Sequence, residues 1–159
     1  MNMHLRTAIM GFCAALLLGH AALAKDSDID AVRKANDGFY AALNTMFTGD
    51  VEPMLDVWSH ADDTTYMGPA GGVQAGWKKV SALWRAQAAM KLGGTIKPTL
   101  VRITAVHKLA VVTDVEVGNN VVNGKATAVS IRATNTFRKE DGRWKMIGHH
   151  TDLLPYLQK

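Results

Sequence analysis

With 159 residues, 48% hydrophobic and 20% charged, the chain carries enough apolar side chain for one domain with a sizeable core and too little length for two. Its formal charge of +4 is a small excess, with basic residues scattered rather than clustered. Without a zinc-finger spacing, a basic helix or a Gly-rich RNA-binding string, this pattern argues against nucleic acid as a partner.

Residues 1–24 contain no acidic side chain, place Arg6 before an apolar run over residues 8–18, and close on Ala22-Leu23-Ala24. A cationic start, a short apolar segment and small residues before a cut describe a secretory signal, with cleavage expected after Ala24. A membrane anchor needs about 20 apolar residues, and His20 interrupts the run. A lipoprotein signal would place its cysteine after the apolar run, whereas Cys13 lies inside it. Cleavage removes Cys13, the only cysteine, so residues 25–159 are expected to form a single exported domain without disulfides, periplasmic or secreted, and free of the membrane.

In residues 27–47, Ile29, Val32, Phe39, Leu43 and Met46 recur at helical spacings, and Ser27 is a candidate N-cap. Gly49 can end this long helix. Asp50 can cap a short second one through Met54, Leu55 and Trp58, with Pro53 tolerated in its first turn. A β-prone stretch over residues 64–67 runs into Gly68-Pro69-Ala70-Gly71-Gly72, a flexible loop, and a third helix is expected over residues 75–90. Gly93-Gly94 ends it. Strands then read over residues 96–106 and 109–117, the second with Leu109, Val111, Val115 and Val117 alternating with Asp114 and Glu116.

The closing hairpin, residues 125–152, has the clearest pattern. Val129, Ile131, Ala133 and Phe137 share one parity, Asp141-Gly142 supplies a tight turn, and the return strand puts Trp144, Met146, Gly148 and His150 on one parity. The shared apolar face is expected to end in Asn135, His150 and Asp152, polar groups at the rim of a pocket. Side chains two apart on a strand share a face, so Asp152 would orient the His150 imidazole and raise its pKa, making it a base or a ligand anchor. The simpler account is a hydrogen-bonded structural histidine. His149 is expected on the opposite face, exposed or at a subunit contact. Tyr66 and Trp58 would flank the mouth, Tyr40, Phe137 and Met146 would line the pocket, and Arg132 would lie on the outer face of the sheet. The histidines of residues 25–159 form no helix-spaced pair or thiolate set, so neither a metal nor a cofactor is expected. The order of elements gives an α+β domain with helices against one face of a bent antiparallel sheet.

Several strings, in order, carry a resemblance. Ala41-Ala42-Leu43-Asn44 stands before Gly49-Asp50, followed by Ala61-Asp62-Asp63, Gly68-Pro69, Gly76-Trp77, and Asp141-Gly142-Arg143-Trp144-Lys145 leading to His150. The chain resembles the nuclear transport factor two-like superfamily over residues 28–152, most closely its exported SnoaL-like and ketosteroid-isomerase-like members. The resemblance implies a cone, also called cystatin-like, in which a strongly curved sheet wraps the long N-terminal helix and leaves an apolar cavity, with dimers formed through the outer sheet face. Ketosteroid isomerases of this family carry an Asp base directly before the Pro of the loop after the first strand, where Gly68 stands here, and an oxyanion Tyr where Phe39 stands. Steroid isomerisation is therefore not expected. The similar kinase association domains have a pocket Arg where this chain has Asn135, and a terminal His matched by His150. The implied function is binding of a small apolar or aromatic molecule. The alternatives are a cofactor-independent isomerase, cyclase or dehydratase using His150 with Asp152, and a structural or partner-binding homodimer without a cavity.

Overall fold

The computed structural model describes residues 26–158. The signal segment expected at residues 1–24 lies outside them. Helix α1 (Asp26–Met46) is followed by α2 (Glu52–Val57), strands β1 (Thr65–Met67) and β2 (Gln74–Ala75), helix α3 (Trp77–Met90), and four long strands, β3 (Thr95–Val106), β4 (Leu109–Val122), β5 (Lys125–Glu140) and β6 (Arg143–Thr151). A short 3-10 turn, Pro155–Leu157, ends the described chain. The six strands form one sheet in the order β2-β1-β6-β5-β4-β3, antiparallel except where β1 runs parallel to β6. This is the expected α+β architecture, with α1 held inside the curved sheet.

The buried stripe of α1 is Val32, Asn36, Phe39, Tyr40, Leu43 and Met46, the three-four spacing that one helix face requires. Asn44 pins the helix to the sheet edge, its Nδ2 donating to the Ile96 carbonyl at 2.9 Å and its Oδ1 accepting from the Ile96 amide at 2.8 Å. At the tight turn between β5 and β6, Asp141 and Gly142 adopt φ of 47° and 80°, as their residue types predict.

Two irregularities decide which side chains face inward. Between Thr136 and Phe137 the β5–β6 register shifts, because Phe137 pairs with Met146 while Thr136 pairs with Gly148, leaving Ile147 as an extra residue. An extra residue in a strand of period two moves everything after it to the other face. Trp144 and Met146 are therefore buried with His149 and Thr151, and His150 is exposed. The expectation that His150 shares the hollow with Asn135 is thus corrected, as is that of an outward His149. In β4 the apolar residues named from the sequence lie on the outer face. Ala110, Val112, Asp114, Glu116 and Asn120 point inward, and Leu109, Val111, Val115, Val117 and Val121 outward.

Candidate functional site

Asn36 and Tyr40, one turn apart on α1, face Asp114 and Glu116, two residues apart on β4. Asn135 of β5 stands directly opposite His149 of β6. All six side chains are buried. Asp114 accepts from Asn36 Nδ2 at 3.2 Å and from the Tyr40 hydroxyl at 2.8 Å. Asn135 Nδ2 donates to Asn36 Oδ1 at 2.8 Å, and Asn135 Oδ1 lies 2.6 Å from His149 Nδ1. His149 Nε2 closes the ring, 3.8 Å from Glu116 Oε1.

These contacts fix the protons. The Asp114 carboxylate orients Asn36, Asn36 orients Asn135, and the Asn135 carbonyl oxygen must then receive a proton from His149 Nδ1. That tautomer leaves the His149 Nε2 lone pair facing Glu116. The Tyr40 hydroxyl owns one proton and gives it to the nearer carboxylate, Asp114. Glu116, 3.2 Å from the same hydroxyl, can bond to it only by bringing a proton of its own. Burial, with the charge of Asp114 adding, pushes the Glu116 carboxyl up to about 8. Burial also raises Asp114, against the hydrogen bonds from Tyr40 and Asn36. The Tyr40 phenol is raised by burial and then by the two carboxylates beside it. Burial, then the neighbouring His150, pushes His149 down to about 3. Near neutral pH the site therefore offers a protonated carboxyl beside a neutral imidazole.

Glu116 and His149 line a cavity of about 40 Å³ together with Leu43, Tyr66, Trp84 and Asn120. That volume is several times the 10–15 Å³ or so that one water needs. Of the pocket residues expected from the sequence, Tyr66 lies on this wall. Tyr40 and Asn135 stand behind Glu116 and His149 and hold them in place. Trp58, Phe137 and Met146 do not line the cavity and instead pack the core. Trp58 bridges to Met146 and its ring lies 5.9 Å from that of Trp84.

Asp152 is held on the outer face by Arg132, whose Nε and Nη2 each donate to it at 2.8 Å. The guanidinium keeps its carboxyl down at about 2. Asp152 is therefore engaged with Arg132, not with His150, which lies in a surface cleft beside Met67, Gly68 and Leu153. Gly68 is explained by close approach. A Cβ there would sit 1.9 Å from the Tyr66 hydroxyl, so Tyr66 occupies the room a side chain at that position would need. Among the described residues, no group of three or more His, Cys, Asp or Glu side chains is placed to hold a metal ion.

Residues 32–154 match the SnoaL-like domain model. The chain belongs to the SnoaL-like family. No curated protein matches it. Among solved structures, it is similar to a candidate dehydratase of the nuclear transport factor two-like family from Streptomyces avermitilis, with 24% identity over 82% of this chain and 99% of that one and a TM-score of 0.73. It is also similar to a candidate ketosteroid isomerase from Shewanella frigidimarina, with 22% identity, 77% and 94% coverage and a TM-score of 0.62. A candidate calcium/calmodulin-dependent protein kinase II association domain from Xanthomonas campestris gives 26% identity, 85% and 94% coverage and a TM-score of 0.58. The first two likenesses establish the fold alone. For this SnoaL-like chain, the chemistry rests on its own side chains.

Proposed function

We propose that this SnoaL-like protein binds a small, largely apolar molecule whose polar group is seated against Glu116 and His149 at the inner end of the cone. The observation that carries it is the buried network of Asn36, Tyr40, Asp114, Glu116, Asn135 and His149, hydrogen-bonded except for the 3.8 Å contact between His149 and Glu116, beside a cavity whose other walls are apolar apart from Gln87 and Asn120. Burying two carboxyls where packing alone would favour apolar residues costs stability, and perturbed groups of this kind concentrate at functional sites. A second reading, proton transfer of the isomerase or dehydratase type, is favoured by the pairing of a protonated Glu116 with the His149 lone pair, and replaces the expected couple of His150 with Asp152. One experiment addresses both. A panel of small carbonyl and hydroxyl compounds, screened by native mass spectrometry and for product, is expected to yield ligands that Glu116→Gln binds about tenfold more weakly, the scale of one lost charge-tuned hydrogen bond. Turnover, if found, should fall as pH rises through about 8, where Glu116 loses its proton. Ligands held equally by Glu116→Gln would sink the assignment.

We further propose export, with the mature chain beginning at Lys25, and a homodimer through the outer sheet face. Leu109, Val111 and Val121, 52%, 41% and 39% exposed, share that face with Val115 and Val117 and support the second point. N-terminal sequencing of exported protein should start at Lys25. Sedimentation should give a dimer that Val111→Lys dissociates, and a monomeric parent protein would refute the interface.

A further inference from the structure

Outside the cavity lies a groove of about 230 Å³ lined by Leu83, Ala86 and Met90 of α3 and by Ala70. Five residues, Tyr66, Pro69, Gln87, Leu92 and Leu157, line both spaces, so one layer of side chains separates them. Across that layer Gln87 Nε2 donates to the Tyr66 hydroxyl at 3.0 Å. Leu157 belongs to the short C-terminal turn. That turn is fastened to the rest of the molecule by the Leu154 amide donating to the Pro69 carbonyl at 2.9 Å and the Tyr156 hydroxyl donating to Asn120 Oδ1 at 3.2 Å. Met90 is 53% exposed at the groove, an apolar side chain left facing water.

The inner space has a distinct hydrogen-bonding character. Asn120 Nδ2 and the Trp84 indole N–H are buried without a partner among the described residues. Both are donors. Among the lining residues there is no Lys or Arg to balance an anion, and Asp114 lies just behind Glu116. A bound carboxylate would meet carboxyl groups without a cation, whereas a neutral carbonyl oxygen, which only accepts, fits the donors present.

We propose that cavity and groove are two halves of one site for a neutral carbonyl compound with a straight aliphatic tail, joined when the turn carrying Tyr156 and Leu157 moves off the mouth; this rests on the binding function proposed above. The carbonyl sits by Glu116 and Asn120, and the tail passes between Tyr66 and Leu157 to lie along Leu83, Ala86 and Met90. Opening breaks the Tyr156 bond to Asn120 and leaves Leu154 anchored at Pro69.

The test is calorimetric titration of the purified protein with methyl ketones from butanone to undecanone. Affinity is expected to rise about fourfold per methylene until the groove is filled, the increment that burial of each methylene gives. Ala86→Trp fills the groove from an exposed helix position without touching the core, and should abolish the length dependence. Alkanoates of matching length should bind about tenfold more weakly, since an uncompensated charge would have to be buried. Ketone binding that ignores length, or a length dependence that survives Ala86→Trp, overturns the joined site and leaves the inner binding site standing. Tighter binding of alkanoates overturns the neutral carbonyl class. Binding of no ketone at any length overturns both this site and the function on which it rests.

Discussion

Glu116→Gln is expected to make the protein more stable above neutral pH, while barely changing it near pH 5. In the folded state the Glu116 carboxyl titrates at about 8 rather than its ordinary 4.5, so between these values the native state holds a proton that the unfolded chain has released. Native-state stability then falls as pH rises through that window, by about 1.4 kcal/mol per unit, and levels off above about 8. His149 acts in the opposite sense. Its folded value of about 3 lies below the ordinary 6.5, so the unfolded chain binds the extra proton and stability falls as pH drops from about 6.5 toward 3. The two slopes oppose each other between about 4.5 and 6.5, which places a plateau in weakly acid solution. Burial raises Asp114 in the same direction as Glu116, against the hydrogen bonds from Tyr40 and Asn36. Urea unfolding at closely spaced pH values should show this plateau, with the decline between pH 6.5 and 8 much reduced in Glu116→Gln. The expected gain above pH 8 is a few kcal/mol, with an upper bound of about 5 kcal/mol from that slope taken over the window from 4.5 to about 8. An unchanged alkaline decline in the variant would mean that Glu116 is ionised in the fold across this range.

The hydrogen-bonded ring that produces this behaviour was only partly legible in the sequence. Local patterns defined α1, the β5–β6 hairpin and its Asp141-Gly142 turn, because helix and strand periods are set by backbone geometry and need no partner to be seen. Asn135 follows from strand parity and does point inward, but behind His149 rather than at a pocket rim; Tyr66, expected to flank the mouth, lies on the cavity wall. His149 was not, because its orientation depends on Ile147 being bulged out, and register belongs to the pair of strands rather than to either one. Asp114 and Glu116 were missed for a different reason. In β4 the apolar residues Leu109, Val111, Val115 and Val117 lie on the outer sheet face, so their alternation with Asp114 and Glu116 does not by itself mark the acidic pair as buried. The acidic pair in Val111-Val112-Thr113-Asp114-Val115-Glu116-Val117 was the available signal for a buried polar site. Asn36 alone, on an otherwise apolar helix stripe, was a second.

Trp84→Ala is expected to produce the largest loss of stability of any single truncation near the cavity, about 3–5 kcal/mol. The indole is 1% exposed and joins three parts of the interior. Its ring lies 6.3 Å from Phe39 of α1, 5.9 Å from Trp58 after α2, and 4.6 Å edge-on to Tyr66 of β1. Aromatic pairs at these distances contribute beyond the area they bury, by about 0.5–1.5 kcal/mol each. For an m-value of about 1–3 kcal/mol/M, the urea midpoint should fall by roughly 2 M, while the slope stays unchanged if unfolding remains two-state. The vacated space adjoins the existing cavity beside Glu116 and His149, and so should accept a free aromatic molecule of the missing shape. Added indole should restore part of the lost stability in proportion to its concentration over its dissociation constant, and should do little for the parent protein. Trp84→Phe, which keeps a ring in place, should lose less and respond less. A loss below about 1 kcal/mol would show that the three elements hold together without the indole. A large loss that indole cannot repair would show that the walls collapse inward, in which case the cavity is sustained by Trp84 rather than by the hydrogen-bonded ring behind it.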